Sequence, residues 1–140
     1  MEEIIDYITK RHIMDPKDLL LVAIGGALGA SLRYLVILWV PTEGFPWSTL
    51  SVNLIGSFIL GIVIGLGANH LLDEKTTLMI ATGVLGSFTT MSTYSIDTIT
   101  LWENEKILAI LYIFTTAIIG PILALIGMET VNSGLIFNKN

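Results

Sequence analysis

The chain has 140 residues, enough for one domain. Hydrophobic residues make up 53%, mean hydropathy is +0.77 and charged residues are only 14%, against about 25% in soluble domains, so the surface is built for lipid rather than water. The net charge of −5 excludes a basic nucleic-acid-binding face, and the absence of cysteine excludes a disulfide framework or a thiolate metal site.

Residues 1–18 form an N-terminal extension. Glu2, Glu3 and Asp6 give its start the wrong charge for a signal peptide, so the first apolar run is expected to stay in the mature protein. Ile4, Ile5, Tyr7 and Ile8 alternate with charged residues, which fits a short interfacial helix ending before Pro16 or a frayed tail.

A membrane-spanning helix needs about 20 apolar residues. Four segments supply them within residues 19–128: Leu19 to Val40, Leu50 to Ala68, Thr76 to Leu101 and Ile107 to Met128. The expected architecture is therefore an all-α membrane protein of four transmembrane helices, followed by an exposed tail at 129–140. Trp39, Trp47 and Trp102 fall at span ends, where aromatic belts sit, and at one face if the spans alternate. Lys10, Arg11, Lys17, Lys75 and Lys139 lie on the side of the termini, with Lys106 opposite. That favours cytoplasmic termini, but almost no bias remains once the extension is set aside.

Within the first span, Arg33 is the only cation inside any span, about 10 Å from the end at ~1.5 Å per residue. It either snorkels to the headgroups or faces an aqueous vestibule and attracts anions. In the second span, Thr49, Asn53 and Ser57 share a helix face. A membrane asparagine must be hydrogen-bonded, and an inter-helix bond would satisfy it as well as a ligand would.

The third span carries the chemical signal. From Thr82 to Ser95 it reads TGVLGSFTTMSTYS, in which nine of fourteen residues are Gly, Ser or Thr. Irregular backbone is not tolerated against lipid at mid-membrane, so this stretch must be buried or line a polar route. Gly83 and Gly86 permit a helix break there, and a broken helix frees backbone groups that bind ions. A small-residue packing face is the simpler alternative. Asp97, the only acid in a span, lies near its end and is within reach of the interface. In the fourth span, Tyr112 and Thr116 form a polar stripe continued by Gly120, and Pro121 is expected to kink the helix by crowding Ala117. There is no HExxH, phosphate-binding loop, nucleophile–base set or metal-ligand cluster, so no enzyme is expected.

Four stretches resemble the CrcB, or Fluc, fluoride-channel family: GGALGASLRY at 25–34, STLSVNLIGSFILG at 48–61, TGVLGSFTTMST at 82–93, and the Tyr112/Thr116 stripe. The resemblance implies an antiparallel, dual-topology homodimer in the plasma membrane, with the third helix broken at mid-membrane. It implies two pores for passive fluoride efflux and a structural Na⁺ at the dimer centre, held by backbone carbonyls of Gly83 and Gly86. By position it implies pore roles for Asn53, Phe88, Thr89, Thr90, Tyr112 and Thr116, beside Thr49, and a vestibule role for Arg33. Two departures stand out: Met91 replaces the second phenylalanine of the family's aromatic box, and Gly120 stands where many relatives have serine.

Two other classes compete. A small four-helix proton-coupled drug exporter depends on a glutamate in the first span, which Leu19 to Val40 lacks. A non-transporting structural subunit would need packing glycines but not Asn53, Phe88 and Thr90 together.

Overall fold

The computed structural model describes residues 15–134. Most of the extension, including the expected interfacial helix or frayed tail, lies outside them, as does the chain beyond 134.

Every regular element among the described residues is helical. Helix α1 spans Pro16–Trp39 and starts before the apolar run does. Asp15 caps it, its carboxylate accepting the Lys17 N–H at 2.9 Å, and Pro16 stands at a first-turn position where a missing N–H is harmless. Helix α2 spans Trp47–Ala68.

The third segment does not form one continuous helix. Helix α3 (Glu74–Leu78) runs into a π-helical stretch, Met79–Leu85, and a short α4, Gly86–Phe88. Thr89 and Thr90 are extended (φ/ψ −73/156° and −146/116°), and α5 then runs over Met91–Asn104. The interruption thus falls at Thr89–Thr90. The two glycines from which a break was expected remain helical: Gly83 is in the π-helical stretch and Gly86 opens α4. Hydropathy cannot register this, because the interruption depends on a partner from α2.

The last segment is α6 (Lys106–Phe114), a π-helical turn over Thr115–Ile119 and α7 (Gly120–Asn132). Pro121 has no N–H for the Ala117 carbonyl, and a π-helical turn stands just upstream of it. Taking α6 to α7 as one helix, three helices among the described residues are long and apolar enough to cross a membrane, with mean hydropathies of 1.9, 2.1 and 2.3. The divided third segment is not among them.

The bundle is inverted relative to a water-soluble one. Leu20, Leu28, Leu35, Ile118 and Leu125 point outward, while Ser48, Thr49, Asn53, Thr77 and Thr90 are buried. In lipid there is little hydrophobic drive between helices, so packing relies on close backbone approach. Helix α1 meets the π-helical stretch through Gly25, whose hydrogen faces Gly83. Helices α2 and α7 meet through Gly61 and Gly127, each against the other helix's backbone. Asn69 Nδ2 donates to Asn132 Oδ1 at 2.9 Å where these two helices end.

At the end where α1 begins, Lys75 pairs with Asp15 at 3.3 Å and Asp18 at 3.7 Å; exposed pairs of this kind contribute little. The cap of α3 matters more. Asp73 accepts the Thr76 hydroxyl at 2.6 Å and the N–H groups of Thr76 and Lys75 at 3.0 and 3.1 Å. These bonds, the Thr76 hydroxyl first, hold its carboxyl below the usual carboxylate range. A depressed carboxylate stabilises above its unfolded pKa and loses that effect as pH falls through its folded pKa. Asp73→Ala is therefore expected to lower the thermal midpoint in detergent at neutral pH and to make no difference in strong acid. An unchanged gap between the two proteins down to pH 2 would contradict this.

Candidate functional site: a polar file leading to the interrupted helix

The site begins with Asn53, on the buried face of α2. Its Oδ1 accepts the Thr90 N–H at 2.8 Å and its Nδ2 donates to the Thr90 carbonyl at 3.1 Å. Asn53 is 8% exposed and Thr90 6%, so both bonds form away from solvent, where an unpaired peptide group is most costly. One turn along α2, Gly56 receives the Phe88 ring and the Thr89 methyl, which would collide with any larger residue. The sequence thus supplies an amide to hold Thr90 and a space for its neighbours on one helix face.

From Thr90 a row of polar groups follows α5. The Thr90 hydroxyl caps that helix by accepting the Thr93 N–H at 3.2 Å and donates to Thr93 Oγ1 at 3.0 Å. Thr93, Asp97, Thr100 and Asn104 then recur at helical spacing, and all four line a cavity of about 500 Å³ that Phe45 and Thr49 close from the other side. The cavity lies at the end of the bundle where Trp39, Trp47 and Trp102 are exposed. At its side, the fully buried Tyr112 donates its hydroxyl to Asp97 Oδ2 at 3.3 Å. Rings of Phe45 and Tyr94 pack on Tyr112 at 5.6 and 5.2 Å.

The residues expected to act together divide into two groups and some outliers. Asn53, Phe88, Thr89 and Thr90 meet at the interruption. Thr49 lines the cavity that Tyr112 borders through Asp97. Thr116 lies in the π-helical turn, its hydroxyl buried with no hydrogen-bond partner among the described residues. Met91 is 72% exposed at the start of α5. Arg33 is part-exposed, forms no ion pair among the described residues and does not line the cavity.

The two glycines proposed for a cation differ. The Gly83 carbonyl already accepts the Gly86 N–H. In a continuing helix the Gly86 carbonyl would be served by the Thr90 N–H, which is diverted to Asn53. Gly86 is also exposed, so it suits an oxygen ligand for a hard cation better than buried Gly83 does.

A family model described as "CrcB-like protein, Camphor Resistance (CrcB)" matches residues 20–128. The chain belongs to the CrcB family. Among similar CrcB relatives, a Thermus thermophilus protein named fluoride-specific ion channel FluC is 45% identical over 112 residues, covering 77% of this chain and 88% of the relative. A Bacillus subtilis protein named fluoride-specific ion channel FluC 2 is 46% identical over 110 residues, covering 76% and 82%. One from Agrobacterium fabrum, also named FluC, is 38% identical over 128 residues, covering 88% and 97%. The CrcB match spans α1 to α7 almost completely, and with the three apolar helices it makes this a membrane protein.

In this CrcB chain, spacing alone puts Asp97 within reach of the interface and singles out neither Phe45 nor Tyr94. The signal for Asp97 was present: Thr93, Asp97, Thr100 and Asn104 repeat on one face of a helix. Pairing with Tyr112 gives the acid a buried partner on α6.

Proposed function

We propose that the chain is a subunit of a fluoride channel that lets fluoride leave the cell passively across the plasma membrane. One observation carries this reading: the polar file from the tryptophan-ringed end of the bundle, along Asn104, Thr100, Asp97 and Thr93, to the buried Thr90–Asn53 pair. A dehydrated anion in low dielectric is very costly, and the hydroxyl and amide groups of Asn104, Thr100 and Thr93 replace its water in steps, past an Asp97 carboxylate that accepts the Tyr112 hydroxyl. Conduction favours several weak sites over one trap. Phe88 joins the file at its inner end, where a ring edge carries partial positive charge towards an anion. The names of the CrcB relatives agree with fluoride as the ion.

In this reading the third segment crosses the bilayer as two half-helices meeting at Thr89–Thr90. Two copies insert antiparallel, and each pore draws on both. The exposed face bearing Gly86 meets its counterpart there, where a sodium ion, drawn to carbonyl oxygens of both copies, would neutralise their dipoles. Arg33 gathers anions near the mouth. Met91, in place of a second box phenylalanine, offers bulk and polarizability without a ring edge.

The test is efflux from fluoride-loaded liposomes containing purified protein, followed with a fluoride electrode. Fast, uncoupled fluoride loss with negligible chloride loss is expected; proton-coupled drug uptake without fluoride loss would favour an exporter instead. Phe88→Ile removes the ring edge and keeps an apolar side chain. It is expected to lower flux about tenfold or more, for ~1.4 kcal/mol or more of lost anion stabilisation. Full flux in this variant would remove Phe88 from the pore.

A further inference from the structure

We propose that Asn53 is a positioning residue, which fixes the geometry of the Thr89–Thr90 interruption by pairing with both backbone groups of Thr90. This deepens the channel reading and rests on it for its functional consequence. An asparagine in an ion pathway invites the opposite assignment, as a donor to the passing ion. The hydrogen bonds argue against that as its main task. Oδ1 takes the Thr90 N–H and Nδ2 gives one proton to the Thr90 carbonyl, so the amide faces Thr90 as a neighbouring strand would. The pair joins residues 37 apart in sequence, and it is the contact that ties α2 to the extended backbone itself.

The consequence runs along the chain in both directions. Upstream, holding the Thr90 N–H on Asn53 withdraws it from the Gly86 carbonyl, so the helix stops after Phe88. Downstream, the fixed Thr90 peptide sets the φ/ψ of −146/116° that lets its hydroxyl cap α5 through the Thr93 N–H. Without Asn53, the cheapest way to satisfy two buried peptide groups is to continue the helix through Thr89 and Thr90. That would rotate Thr93, Asp97 and Thr100 relative to Phe88 and close the polar file. Gly56 supports the assignment: the Phe88 ring and the Thr89 methyl, on either side of the point where the helix stops, are seated against it where a side chain would collide.

The deciding measurement uses the unaltered protein. Solid-state NMR in liposomes, with ¹⁵N in asparagine side chains and ¹³C in threonine carbonyls, should show two side-chain-to-carbonyl couplings among the described residues. One comes from Asn104 and Thr100, an exposed pair at 2.8 Å, and is identified by its loss in Asn104→Ser. The other is Asn53 to Thr90. The expected result is that this second coupling is the same with and without fluoride. A coupling lost on adding fluoride would make Asn53 an ion ligand and overturn the proposal.

A double-mutant cycle supplies the second arm. Asn53→Ala, and replacement of Thr90 by its α-hydroxy acid, which exchanges the N–H for an ester oxygen, are each expected to lower fluoride flux about tenfold or more. Combined, they should lower it no further than the more severe of the two. Losses that multiply would overturn the proposal. If the unaltered protein shows the coupling in liposomes that pass no fluoride, the positioning role stands and the channel reading fails.

Discussion

Gly61→Val is expected to prevent α2 and α7 from packing and to leave little folded protein in detergent. Even a methyl at this position would lie 2.7 Å from the Ala124 carbonyl carbon and closer still to its oxygen. The obstacle is backbone on a helix, not the flexible end of a side chain, so relief requires the helices to separate. Separation would also part Gly127 from the Phe58 backbone and strain the Asn69–Asn132 bond at the helix ends. Overpacking in a core commonly costs about 1–3 kcal/mol; with rigid backbone as the obstacle, a loss of about 3 kcal/mol or more is expected. Thermal unfolding and the yield of monodisperse protein measure it. Gly120→Ala, on the same pair of helices, is the control, since its new Cβ would meet only the Ser57 hydroxyl at 3.5 Å. A Gly61→Val protein as stable as that control would show that the α2–α7 contact is not tight.

Tyr112→Phe should reduce fluoride flux about tenfold to a hundredfold while leaving the fold intact. The hydroxyl is the only group removed, and the ring keeps its contacts with Phe45 and Tyr94. What is lost is the donor to Asp97 at 3.3 Å. A hydrogen bond to a charged group contributes about 1.5–3 kcal/mol, hence the range. Asp97 already lines the cavity; without the Tyr112 donor its negative charge there is less offset and repels an anion more strongly. Asp97→Asn in the Tyr112→Phe background removes that charge and is expected to restore part of the flux. The measurement is initial efflux rate at matched protein density. Equal flux in Tyr112→Phe and the unaltered protein would show that this pair lies off the pathway.

Several features were open to reading because they depend on composition and period. The apolar runs mark the membrane segments, and the ends of α2 and of the last helix lie within a few residues of where hydropathy puts them. The density of Gly, Ser and Thr from Thr82 to Ser95 points to an irregular backbone, and the irregularity is present at Thr89–Thr90. Its location was not accessible in the same way. Glycine permits a break, yet Gly83 sits where a helix must come close to Gly25, which requires a missing side chain rather than a bent backbone. The two threonines that do leave the helix are held out by an asparagine from another segment. The π-helical turns were equally hidden, since a widened turn answers to packing and, near Pro121, to a missing donor.

Side-chain chemistry read along the chain is enough to establish that the solvent is lipid, that continuous apolar runs of about 20 residues cross it as helices, and that polar residues gather in the third segment. All three follow from counting side chains against the cost of burying them. Which of those polar residues meet is settled in three dimensions alone. Asn53 with Thr90, and Tyr112 with Asp97, are pairs 37 and 15 residues apart, and a hydrogen bond is specified by distance and direction in space rather than by spacing along the chain.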